Sequence, residues 1–171
     1  AFEREKKLVD HIHSLGAIAK LHICGNTTPI LNDMIKTGSN IIDVDHFKRV
    51  NDSYGHDIGD EVLKYLGAIF KRVESLYPKS FCARYGGEEF ILTIQDTEKK
   101  DVIKIANRIN KTVEQNPFKS SDGDIIISLT VSIGISFFHL ENDTANNVFS
   151  FADKALYKAK EKRNSTCVYN R

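Results

Sequence analysis

Two short acidic stretches carry the chemistry legible in this chain. Asp43 and Asp45 end the apolar run Ile41-Ile42-Asp43-Val44-Asp45, and Glu88 and Glu89 follow twin glycines in Arg84-Tyr85-Gly86-Gly87-Glu88-Glu89-Phe90. Phe81-Cys82-Ala83 precedes the second stretch and Ile91-Leu92 continues it, so it reads as a β-hairpin with Gly-Gly at the turn. Glycine admits positive φ and, lacking Cβ, lets a large ligand approach the backbone. Two carboxylates directly after such a turn suit a metal bound beside a phosphate. Read alone, the pattern fits an exposed hairpin with a solvated acidic edge equally well. Asp43 stands at the C-terminal end of a buried-type strand, where α/β folds place ligands. Read alone, it also fits a strand-end residue capping the next helical turn. If this strand lies beside the hairpin, Asp43 and Glu88 converge. With a backbone carbonyl they would leave open positions on Mg²⁺ for phosphate oxygens and water.

The surrounding polar residues fall into two groups. Lys48 and Arg49 are candidate phosphate contacts or a solvated face. Asn51 and Asp60 are candidate base readers, because an Asn amide matches the acceptor edge of guanine and a carboxylate accepts from its N–H donors. Asn51 fits a turn and Asp60 a helix N-cap as well. Lys158, Lys160, Lys162 and Arg163 end a helical stripe. Cations there favour the helix dipole, and they could equally clamp β- and γ-phosphates.

These residues need elements to position them. Ile41–Val44 predicts a short buried strand. Asp45 to Asp60 is polar and turn-rich, which predicts short helical turns. Val62, Leu63, Leu66, Ile69, Phe70 and Val73 mark an amphipathic helix. Val102, Ile105, Ala106, Ile109 and Val113 mark another, started by Asp96 or Thr97. Ser121-Asp122-Gly123-Asp124 is a turn. Ile125 to Phe138 is β-prone with Gly134 interrupting it. Val148 to Ala159 is a last helical stripe, and Cys167-Val168-Tyr169 a short final strand. Upstream, residues 2–15 read as a helix, Ala17–Ile23 as a strand, and a helix follows with Thr28 as N-cap and Pro29 at its first position. Residues 17–44 thus read as β-α-β, whose usual hand makes the two strands parallel neighbours.

Composition bounds the rest. The chain has 171 residues, 41% apolar and 27% charged, as expected of one compact soluble domain. A formal net charge of +1 makes no bulk electrostatic case for nucleic acid or an anionic membrane. No apolar run is long enough to span a bilayer. Three cysteines, Cys24, Cys82 and Cys167, stand at no framework spacing, which favours a reducing, cytoplasmic setting.

Taken together, the stretches resemble the GGDEF domain family, the diguanylate cyclases. The residues that carry the resemblance are Asp43-Val44-Asp45-His46-Phe47-Lys48, Asn51-Asp52, Gly55-His56 and Gly59-Asp60. They continue through Arg84 to Phe90, Val131 to Ser136, and Ala152 to Lys160. Their order and spacing agree from about Ile41 to the C-terminus. The resemblance implies an α+β fold, an antiparallel palm-like central sheet flanked by helices. It implies that two GTP become cyclic di-GMP with Mg²⁺ (or Mn²⁺), in a homodimer of two such domains facing each other. Asp43, the Val44 carbonyl and Glu88 would hold the metal, with Glu88 and Glu89 as the catalytic acids. Asn51 and Asp60 would read guanine, with His56 in the same substrate-binding stretch. Lys48, Lys160 and Arg163 would hold phosphates, and Gly86 and Gly87 would give backbone access.

The chain departs from the family in four places. The product-inhibition motif Arg-x-x-Asp is replaced, with Tyr77 and Ser80 at its ends. The basic tail Lys160-Glu161-Lys162-Arg163-Asn164 is one residue short and lacks its glycine. The β-prone run Ile125–Leu129 is expected to lengthen a strand. Finally, the family's opening Leu-Thr-Gly-Leu motif is missing. Residues from about 5 to 45, with Leu21-His22-Ile23-Cys24-Gly25-Asn26, instead resemble a fragment of the uroporphyrinogen decarboxylase and corrinoid methyltransferase superfamily. That implies a chimera: residues 1–40 as an α-β-α graft from a β/α barrel, adding an edge strand beside Ile41–Val44, and residues 41–171 as the GGDEF domain. His22 and Cys24 match the zinc pair of the methyltransferases, but a catalytic zinc needs a third protein ligand that the chain lacks. Besides a working cyclase, the sequence therefore leaves open a weak or inactive scaffold that at most binds GTP.

Overall fold

A computed structural model describes residues 39–77, 79–138 and 143–170. The predicted segments 2–15, 17–23 and 28–38, and with them His22 and Cys24, lie outside the described residues. β1 (Ser39–Val44) leads into α1 (Phe47–Tyr54) and α2 (His56–Leu76), then the hairpin β2 (Ser80–Gly86) and β3 (Glu89–Ile94). α3 (Lys99–Gln115), the short strands β4 (Phe118–Lys119) and β5 (Ile126–Ile127), β6 (Val131–Ser136), α4 (Ala145–Lys162) and β7 (Thr166–Val168) follow.

Five strands form one sheet in the order β2-β3-β1-β6-β7. β1 runs antiparallel to both neighbours, with Asp43 opposite Glu89 on β3 and opposite Ser132 on β6. Only β6 and β7 are parallel. Both sides of β1 are therefore taken, which corrects the expected parallel neighbour and the expected graft beside Ile41–Val44. The antiparallel hairpin and β6 satisfy the backbone groups that such a strand would have used.

Strand alternation divides the core. Ile42, Val44, Phe90, Leu92, Ile133 and Ile135 face one way and pack on α2 and α3 through Leu66, Phe70, Ile105 and Val113. Phe70 meets Phe90 edge-on, with ring centroids 4.9 Å apart. On the other face, Ile41 packs with Ala152 and Leu156 of α4. Here β6 presents Ser132, Gly134 and Ser136, all buried, and α4 lies close. A Cβ built on Gly134 would come within 2.2 Å of the Ala152 carbonyl oxygen and 2.3 Å of the Leu156 nitrogen. Gly134 does not interrupt the strand as the sequence suggested; it makes room for the helix. Because the obstacles are backbone atoms, Gly134→Ala is expected to destabilise the fold by about 1–3 kcal/mol, read as a lower midpoint in urea. An unchanged midpoint would mean that α4 can move away at no cost.

Other boundaries shift. Helix α2 begins at His56 with Gly55 (φ 84) as its N-cap, so Asp45–Asp60 contains one full helix and the start of another, not isolated turns. Asp60 is therefore an exposed residue inside α2 and caps nothing. Helix α3 has Glu98 at its N-cap position, with no side-chain capping bond and later than Asp96 or Thr97; Asp96 sits at φ 50 and Thr97 Oγ1 donates to the Gln95 carbonyl. The run Ile125–Phe138 splits, so that Ile126-Ile127 pairs with Phe118-Lys119 in a small separate sheet and β6 is not lengthened.

Candidate active site

The hairpin turn sits one residue later than expected. Gly86 ends β2, Glu89 begins β3, and Gly87 (φ 40) with Glu88 makes the turn. The ladder slips between Arg84 and Gly86, so Tyr85 bulges out. Arg84 Nε donates to the Gly87 carbonyl at 2.9 Å and braces the loop. Substituent space at Gly86 and Gly87 is open, with no atom within 4 Å of a built Cβ. That leaves both peptides accessible to a ligand.

The turn is tied to β1. The Val44 N–H donates to the Glu88 carbonyl at 3.3 Å, immediately beside Asp43. Three acids gather at this corner: Asp43 is buried, while Glu88 and Glu89 are partly exposed. Burial pushes the Asp43 carboxyl above its usual value, against the lowering influence of Lys160. Burial, and then the charge of Asp43, raises both Glu88 and Glu89; Asp153 of α4 adds to the rise at Glu89. Lys160 Nζ answers this charge, 2.7 Å from Asp43 Oδ2. Asp43 and Glu88 thus lie near enough for the charge of Asp43 to raise the Glu88 carboxyl.

The corner suits a divalent cation. Among the described residues, no three His, Cys, Asp or Glu side chains form a ready-made metal cluster. The donors on offer are two or three carboxylate groups and main-chain carbonyls, all hard oxygens, with much of the coordination sphere left over. Magnesium and manganese accept such a set, because they keep water and substrate phosphate as ligands. Burial is the first cause of the rise in all three carboxyls, and neighbouring acids add to it against the lowering influence of Lys160. A divalent ion is therefore expected to raise the melting temperature, and by more at neutral pH than at a pH below the ordinary range of these carboxyls. Groups with raised folded pKa contribute stability that is fully present below their ordinary values of 3.8 and 4.5. It is lost as pH rises through the raised values. The cation relieves that loss and competes with protons for the same oxygens. Thermal scans with and without MgCl₂ across that range check this; a magnesium shift independent of pH would contradict it.

The remaining candidates line up nearby or do not. Asn51 of α1 is half-buried and lies over Gly59 of α2, where a Cβ would fall 1.9 Å from Asn51 Oδ1. Gly59 immediately precedes Asp60, so Asn51 packs on α2 one residue from the exposed Asp60. His56 opens the same helix and is exposed, and Lys48 is exposed on α1. Arg163 does not join Lys160 on Asp43. Its guanidinium sits 3.4 Å from Asp45, and Asp45 also accepts from Thr130 Oγ1, Ser132 Oγ and the Asn164 N–H. Sequence reading gave neither Ser132 nor Gly59 a role of its own, although both lie in stretches that carry the family resemblance. The small polar residues alternating with Val131, Ile133 and Ile135 were the available signal for the former. At the site of the missing inhibitory motif, Ser80 Oγ donates to the Tyr77 carbonyl at 2.6 Å, a local turn contact.

The family described as "Diguanylate cyclase, GGDEF domain" matches residues 35–166. The chain belongs to the GGDEF family. Its sequence is 39% identical over 120 residues to the response regulator PleD of Caulobacter vibrioides, covering 70% of this chain and 26% of that protein. It is 40% identical over 129 residues to a diguanylate cyclase of Vibrio cholerae serotype O1, covering 75% and 38%. This GGDEF chain thus spans between a quarter and two fifths of these relatives. Its fold matches a structure described as the active GGEEF domain of a diguanylate cyclase from Vibrio cholerae. The TM-score is 0.72 and the identity 31%, over 88% of this chain and 99% of that one. The central antiparallel sheet flanked by helices is the GGDEF fold. The match from residue 35 runs into the stretch compared above with the uroporphyrinogen decarboxylase superfamily, and these findings lend that resemblance no support. GGDEF domains of the cyclase family generally use divalent metal ions, bind GTP or cyclic di-GMP and often act as dimers. Among the described residues, no helix is long and apolar enough to cross a membrane, and Cys82 and Cys167 carry no disulfide.

Proposed function

We propose that this GGDEF domain binds one GTP with Mg²⁺ (or Mn²⁺) and, paired with a second copy, condenses two GTP into cyclic di-GMP in the cytoplasm. The observation that carries the reading is the corner where Asp43 and the Glu88 turn meet, with Lys160 against it. The signature of this chain, Gly86-Gly87-Glu88-Glu89-Phe90, is the GGEEF of the Vibrio cholerae domain described as active.

The roles divide by position. Asp43, the Val44 carbonyl and Glu88 would hold the metal, which supplies charge neutralisation at the phosphate under attack. Glu89, opposite Asp43 in the ladder, has a raised carboxyl suited to accepting the proton of a 3′-hydroxyl. In each of two equivalent steps, a 3′-oxygen of one GTP forms a bond to the α-phosphorus of the other. Pyrophosphate departs, and the hydroxyl proton leaves to the base. Asn51 and Asp60 read guanine from the α1–α2 surface, with His56 beside them. Lys48 and Lys160 hold phosphate oxygens, with Arg163 kept on Asp45, and Gly86 and Gly87 leave the loop peptides open to them. Lys160 can transfer from Asp43 to phosphate once a divalent ion occupies the acid.

The deciding experiment is incubation of concentrated protein with GTP and MgCl₂, followed by chromatography of nucleotides. Cyclic di-GMP with two pyrophosphates released for each one formed supports the reading. Calorimetric GTP binding without product selects a binding-only domain, and no binding removes the nucleotide reading altogether.

A further inference from the structure

Asp45 is among the most thoroughly satisfied side chains near the site, although the proposed chemistry leaves it untouched. Its carboxylate has no exposed surface. It accepts from Thr130 Oγ1 at 2.7 Å, Ser132 Oγ at 2.8 Å and the Asn164 N–H at 2.9 Å, with Arg163 Nη1 at 3.4 Å. Two of these four donors belong to the end of α4. There Arg163 and Asn164 adopt φ 55 and φ 41 in succession, a backbone that residues other than glycine enter only when held. The Arg163 N–H closes the helix on the Ala159 carbonyl at 2.9 Å. Lys160 lies in that final turn.

We propose that Asp45 is a positioning residue for Lys160. By clamping the left-handed exit of α4, it sets where the last helical turn stands above β1. Lys160 Nζ then meets Asp43, two residues before Asp45, which directly follows the last residue of β1. The basic tail that lacks a glycine can take this exit because a buried carboxylate replaces what glycine would have supplied in conformational freedom. Asp45 so acts on the triphosphate pocket through Lys160, without touching nucleotide. The claim rests on the GTP reading above for its functional consequence, and on geometry alone for its cause.

The test is a double-substitution cycle, with GTP affinity measured by calorimetry in MgCl₂ and folding checked by circular dichroism. Asp45→Asn is expected to weaken GTP about tenfold in the otherwise native chain and to change nothing further in a Lys160→Ala background, a non-additive pair. Equal losses in both backgrounds would overturn the proposal, because a merely structural role adds. Thr130→Val removes one donor and keeps the shape; a loss of about threefold in the same direction, again absent with Lys160→Ala, is expected. This variant carries the cycle if Asp45→Asn does not fold. A crystal structure of whichever variant folds supplies the readout independent of GTP. Lys160 Nζ displaced from Asp43 supports the proposal, and Nζ still 2.7 Å from Oδ2 overturns it. Native protein that fails to bind GTP would refute the nucleotide reading, while that crystal structure would still decide the positioning claim.

Discussion

Asp43→Asn is expected to lower cyclic di-GMP formation by about 10³-fold while leaving the fold in place. A carboxylate that holds a catalytic cation contributes several kcal/mol to the transition state, and each 1.36 kcal/mol is about tenfold in rate. The substitution is nearly isosteric, so no cavity opens. It removes a buried charge whose burial is the foremost cause of its raised pKa. It also strands Lys160, but that side chain is 36% exposed and can turn to water, so the usual cost of an orphaned buried charge is largely avoided. The net change in stability should stay within about 1 kcal/mol. Steady-state product assays and a thermal scan check both halves. The magnesium-induced rise in melting temperature should disappear as well, a readout that does not need turnover. A variant within tenfold of native activity would remove Asp43 from the metal set.

Gly59→Ala is expected to weaken GTP binding about 10–100-fold and to erode discrimination against ATP. The added methyl would lie 1.9 Å from Asn51 Oδ1 and 3.3 Å from Phe47 Cζ. The nearer obstacle is the tip of a side chain, so Asn51 turns aside and the helix survives. Alanine is favoured over glycine inside a helix by roughly 0.5–1 kcal/mol, which offsets part of the strain. What is lost is the amide's aim. A reader that no longer meets its base leaves hydrogen-bonding groups unpaired, at about 1–3 kcal/mol. Calorimetry with GTP and ATP on native and variant protein separates the effects. Unchanged affinity with a displaced Asn51 would mean that Asn51 does not read the base.

The roles of Gly59 and Asp45 turn on neighbours that no single stretch of chain reveals. Gly59 looked like half of a Gly-Asp pair whose acid could cap a helix. Its role follows from α1 folding back on α2 so that Asn51 lies across it. Asp45 looked like a second acid near a strand end. Its partners come from the β5–β6 connection, from β6 and from the end of α4, more than eighty residues away in sequence. The one-residue slip of the hairpin turn came from the bulge at Tyr85, which depends on how β2 and β3 settle against each other.

Local sequence by itself determined the chemistry on offer: which residues are acidic, amidic or basic, and in what order. It also determined the existence of β1, the hairpin, α2, α3 and α4, because apolar period and turn residues act over a few positions. It could bring Asp43 near Glu88 only on the condition that their strands are neighbours. Tertiary structure alone decided that condition. The antiparallel pairing of β1 with β3 and β6 excluded a parallel neighbour and set Asp43 opposite Glu89 and beside the Glu88 turn. It also decided that Arg163 serves Asp45 while Lys160 serves Asp43. Strand register and helix seating are settled by which buried faces fit together across the whole chain, and that fit is not written in any one segment.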